Sequence, residues 1–177
     1  IKLLLIRDAN GKKGLFHIWC ELSGQEGRYR DDFDLTDIRA TLPLFVTTSV
    51  YEPEAMLAIN TADHALLKRN FQAVFLREWD NARAGFLADL GVASWQAIAN
   101  NGTEETRGIA DFGLSGKGGL KVQFLDAAGA PCAYIWMRGS GTEPVFRILA
   151  DARGSDVSAE RRLLSWLTAM VLEADRA

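Results

Sequence analysis

The chain has 177 residues, of which 48% are hydrophobic and 24% charged, with a formal net charge of −3. That balance belongs to a folded globular chain, not a disordered one, and the acidic excess argues against nucleic acid or an anionic membrane as partner. Two cysteines, Cys20 and Cys132, stand far apart among apolar neighbours, which points to free thiols in a reducing, cytoplasmic setting and not to a disulfide or a metal site.

The apolar runs are too short for a membrane span, and no signal peptide is visible. The first residue is Ile1, which reads as the start of a piece of a longer protein. Ile1, Leu3, Leu4, Leu5 and Ile6 form a short apolar run whose length favours a strand. Leu15, Phe16, Ile18, Trp19 and Leu22 recur at helical spacing, and Gly24 is a stop signal. A polar loop covers 25–34. A short helix then carries Leu35, Ile38 and Leu42 up to Pro43, where the residue before proline leaves the helical region. Residues 44–50 are β-branched and aromatic and predict a strand. A turn at 51–54 contains Pro53.

Asp63 is placed to cap a long helix reaching about residue 84, with Leu67, Phe71, Val74, Phe75 and Trp79 on its buried stripe. Residues 86–99 give no clear period. Residues 100–119 are glycine-rich and read as loop, with a short strand near 109–114. Residues 120–126 alternate apolar and polar, 127–130 make a turn, and 132–137 form a second strand. Residues 145–152 make a third, opened by Pro144, which removes a donor at a tolerated position. Asp156 or Ser158 caps a last helix whose buried side holds Leu163, Leu164, Leu167, Met170, Val171 and Ala174. The expected class is α+β, with a largely antiparallel sheet flanked by helices. The expected division is 1–55, the tail of a preceding α/β domain with its linker, and 56–177, an α+β domain.

One segment carries chemistry: Arg138-Gly139-Ser140-Gly141-Thr142-Glu143-Pro144, between two strands. Gly139 and Gly141 permit backbone conformations in which successive N–H groups converge on an anion. Ser140 and Thr142 add hydroxyl donors. Arg138 adds a planar, permanently charged fork that matches two phosphate oxygens. Glu143 would repel phosphate; it suits orienting Arg138 or accepting a sugar hydroxyl. The plainer alternative is a solvated glycine-rich turn.

This heptad, followed by the apolar strand Val145-Phe146-Arg147-Ile148-Leu149, resembles the C-terminal phosphate-binding loop of the α-D-phosphohexomutases. That family includes phosphoglucomutase, phosphomannomutase and phosphoglucosamine mutase. Asp34-Leu35-Thr36-Asp37-Ile38 through Leu42-Pro43 is similar to the segment joining the family's third and fourth domains. The resemblance implies a TATA-box-binding-protein-like fourth domain, preceded by the end of the third. It implies that Arg138, Gly139, Ser140, Gly141 and Thr142 grip the non-transferred phosphate of a sugar phosphate, with Glu143 and Arg147 behind them. It implies a parent enzyme that interconverts hexose 1-phosphate and hexose 6-phosphate, using Mg²⁺ and a hexose bisphosphate. Neither of these cofactors is expected to be held by this chain, whose natural partners would be the upstream catalytic domains of the same polypeptide. No nucleophile serine loop or acidic metal loop of the family's type is present, so no catalytic residue is assigned. Glu21-Leu22-Ser23-Gly24 matches the family's sugar loop only superficially. The alternative is a free-standing, non-catalytic module for a phosphorylated ligand or a protein partner.

Other signals are weaker. Ser115-Gly116-Lys117-Gly118-Gly119 lacks the spacing of a phosphate loop and reads as a flexible turn. Asn101-Gly102-Thr103 is a glycosylation sequon without a secretory context. His17 and His64 look isolated, and Trp79, Trp95, Trp136 and Trp166 suit a core or an interface.

Overall fold

The computed structural model describes residues 44–140 and 145–177. The chain divides after Pro43, and the described residues all belong to the second unit, Leu44–Ala177. The expected elements within 1–43, with Cys20, His17 and the Glu21-Leu22-Ser23-Gly24 segment, lie outside the described residues, as do Gly141, Thr142, Glu143 and Pro144 at the loop tip.

The described residues form an α+β fold. Seven strands make one antiparallel sheet: β1 (Phe45–Thr47), β2 (Met56–Leu57), β3 (Ser94–Asn101), β4 (Glu104–Arg107), β5 (Gly119–Leu125), β6 (Pro131–Gly139) and β7 (Phe146–Arg153). The spatial order is β1-β7-β6-β5-β3-β4, and β2 shares the outer edge of β7 with β1. The helices are α1 (His64–Ala84), the short α2 (Phe86–Asp89) and α3 (Val157–Ala174). Both long helices start where the sequence signals them. Asp63 accepts from the Ala65 and Leu66 amides, and Asp156 from that of Ser158. Each cap satisfies amides that the first helical turn leaves without partners.

Strand alternation decides which face α1 and α3 cover. Leu120, Val122 and Phe124 of β5, Ile135 and Met137 of β6, and Phe146, Ile148 and Ala150 of β7 join the helices in one core. Phe75 of α1 is its hub, with ring centroids 5.0 Å from Trp95, 5.8 Å from Trp166 and 6.0 Å from Phe112. Trp79, Trp95 and Trp166 pack on the margin of this core, in keeping with the expectation of a core or interface role.

Two stretches differ from expectation. Residues 94–101 form a full strand whose inward positions are Trp95, Ala97 and Ala99. Alanine gives no hydrophobic signal, so the period is hidden. β4 is exposed along its whole length, and an all-polar edge strand shows no pattern to read. The stretch near 109–114 is not a strand: Phe112–Ser115 is a 3₁₀ turn capped by Asp111.

Candidate functional site

β6 and β7 pair up to the mouth of their connection, with Arg138 opposite Arg147 and Gly139 opposite Phe146. The Ser140 amide then donates to the Val145 carbonyl at 2.9 Å, closing the neck of the loop. Directly opposed residues share one face of a sheet, so Arg138 and Arg147 both project from the face that α1 and α3 leave uncovered. Trp136 lies two residues before Arg138 and so shares that face. A cavity of about 220 Å³ is lined by Trp136, Arg138, Gly139, Ser140 and Arg147. The Arg147 guanidinium also donates to the Val50 carbonyl at 3.2 Å, which orients it.

On the other side of the loop neck stands the first turn of α1. A second cavity, about 230 Å³, is lined by Ile59, Asn60, Thr61, His64, Ser140 and Val145, among others. Ser140 borders both cavities. The approach to α1 is fixed from the far end of the chain: the Asp175 carboxylate accepts from the amides of Asn60 and Thr61. Gly139 is required here by contact. A side-chain carbon at that position would fall 1.9 Å from the His64 ring, and the ring itself rests edge-on against Phe146 at 5.5 Å. His64, read from sequence as isolated, is therefore part of the corner.

Lys68 follows one turn along α1. Its side chain is fully buried, and its Nζ donates to the carbonyls of Gly116 (2.8 Å) and Gly118 (2.6 Å). The 115–119 segment therefore turns carbonyls, not amides, toward this corner. Burial, and then the Arg138 charge, lower the Lys68 pKa from 10.5 to about 8. The His64 pKa is lowered by burial first and by Lys68 and Lys117 next, against a small opposing effect of Asp63. Burial is the larger cause of both depressions, and neighbouring positive charge adds to each. In a chain of net charge −3, this corner has the opposite sign.

Among the sequence-derived site residues, Arg138, Gly139, Ser140 and Arg147 come together, while Gly141, Thr142 and Glu143 lie outside the described residues. Lys68, His64 and Trp136 are additions. The signal for Lys68 and His64 was in the sequence: positions 64, 68, 71 and 75 form one helical stripe, so a lysine and a histidine continue the apolar face of Phe71 and Phe75. Trp136 belongs to the opposite strand face from the core residues Ile135 and Met137, where it packs on Gly119 and lines the cavity.

No family model, curated protein or solved structure matches the chain. Among the described residues no three His, Cys, Asp or Glu side chains converge into a metal site, and no helix is long and apolar enough to cross a membrane.

Proposed function

We propose that this chain binds the phosphate of a sugar phosphate and serves as the C-terminal, phosphate-gripping part of a phosphohexomutase. The fold would then correspond to the TATA-box-binding-protein-like fourth domain of that family. The observation that carries the reading is the convergence of Arg138, Arg147 and Ser140 on one cavity at the mouth of a glycine-containing connection. Arg138 offers a planar, charged donor pair, and Arg147, also bonded to the Val50 carbonyl, adds a second positive charge to the same cavity. Trp136 supplies an apolar wall against which a sugar ring can rest.

The chemistry assigned to these residues is orientation. A phosphate held at the corner fixes the rest of the sugar, and such remote binding lowers the barrier of a transfer occurring elsewhere. The family's magnesium would supply electrophilic activation in the parent's other domains; among the described residues no three His, Cys, Asp or Glu side chains converge to fit the ion.

Charge-assisted hydrogen bonds contribute about 1.5–3 kcal/mol each, and association removes much of the sum. A Kd for glucose 1-phosphate near about 1 mM is expected. Calorimetric titration of the 177-residue chain tests it. Arg138→Ala should weaken binding at least about tenfold with little change in Tm, because Arg138 is exposed. Undiminished binding by this variant would remove the corner from the function.

A further inference from the structure

Lys68 is a poor choice for a purely structural position. Its side chain is fully buried, yet its two hydrogen-bond partners are neutral backbone carbonyls. The charged groups that face it deepen the problem. Arg138, near the end of β6, adds its charge to the Lys68 depression, and His64, one turn earlier on α1, feels the charges of both Lys68 and Lys117. Asp63, the carboxylate that acts on His64, is engaged as the helix cap. Taking an ammonium out of water costs several kcal/mol even after relaxation. A methionine of similar volume would fill the space without that cost. A buried cation placed beside other cations is explained when an anion completes the group.

We propose that Lys68 is a positioning cation of the anion site: it ties the 116–118 turn to α1 and adds a buried positive charge that strengthens phosphate binding at Arg138. The inference rests on the anion-site reading above. It adds to that reading a residue outside the loop that need not touch the ligand. Its field acts through protein, where charges are screened far less than in water. The turn it holds is tightly seated. A side-chain carbon on Gly118 would lie 2.3 Å from the Asn100 carbonyl oxygen, and one on Gly119 would lie 2.6 Å from the Trp136 indole nitrogen. The clamp on the turn therefore also bears on the Trp136 wall of the phosphate cavity.

The test is titration of the whole 177-residue chain with methyl phosphate, a monoester that ionises for the second time near about pH 6 and is a dianion above about pH 7. Across pH 7 to 10 the ligand charge stays constant, while the Lys68 pKa, lowered to about 8, puts the loss of its proton inside that range. Wild-type affinity should fall about tenfold over that range, or about 1.4 kcal/mol. Lys68→Met should bind about tenfold more weakly at pH 7 and show no such decline. Lys68→Arg should keep the charge and also lose the decline. Lys117→Gln should keep the wild-type profile, which assigns the titration to Lys68. A flat wild-type profile, in a protein whose binding is still weakened by Arg138→Ala, would overturn the role of Lys68 and leave the site standing. Absence of saturable binding in the wild type would overturn both. Should Lys68→Met fail to fold, the wild-type and Lys117→Gln profiles decide the matter by themselves.

Discussion

The two ends of α1 have opposite characters. Its middle and C-terminal part press Phe71, Val74 and Phe75 into an aromatic core, where each ring meets several others. Its first two turns place His64 and Lys68 on the same stripe, against Gly139 and the carbonyls of the 116–118 turn. One helix and one periodicity thus serve stability at one end and hold costly charge at the other. The difference teaches that a periodic face should be read residue by residue. A lysine continuing an apolar stripe is a signal in its own right, because the fold could have used a hydrophobic residue there more cheaply.

The sharpest way to separate the two ends is to damage the stable one. Phe75→Ala removes the hub of the aromatic cluster and should cost about 4 kcal/mol. Denaturant unfolding measures this. Below the new transition the phosphate affinity should be unchanged, because the ring packs among Trp79, Trp95, Phe112, Phe124 and Trp166 of the core.

The next effect comes from the charged end. Lys68 keeps its proton to about 10.5 when unfolded but only to about 8 when folded. Between those values the unfolded state binds more protons, so stability rises with pH. The full cost is present below about pH 8, and its relief should approach about 3 kcal/mol by pH 10.5. Burial raises the pKa of Cys132 and Tyr134, and those groups act in the opposite direction. The wild type should therefore be compared with Lys68→Met in the same buffers. Parallel stability curves for the two proteins would show that Lys68 carries no such cost.

Gly139→Ala joins the two ends at the loop neck. The added carbon meets the His64 ring, which cannot retreat without leaving Phe146. A loss of about 2 kcal/mol is expected, the usual range for overpacking, together with loss of phosphate binding. His64→Ala in the same chain should restore part of the stability. A fully stable Gly139→Ala protein would mean that the ring contact is loose.

Much of this fold was legible beforehand. The capped helices, the 120–126 and 132–137 strands and the strand after the loop all follow from periodicity and turn residues, and each is present. What was hidden is explained by residue type: β3 buries alanines, and β4 is polar throughout. Within the site, Arg138, Gly139, Ser140 and Arg147 were readable because they lie close in sequence around one turn. Lys68 is 70 residues away from Arg138 in number, and only the antiparallel closure of the sheet beside α1 brings its charge to the loop. Contacts made at that separation leave no local pattern.

The central claim is that the loop corner binds phosphate, and amide chemical-shift mapping during a titration with inorganic phosphate tests it most directly. The account predicts saturable shifts at Arg138, Gly139, Ser140 and Arg147 and at the start of α1, all abolished by Arg138→Ala. Shifts that centre elsewhere, such as the groove between Phe86 and Trp166 on α3, or that persist unchanged in Arg138→Ala, would contradict it.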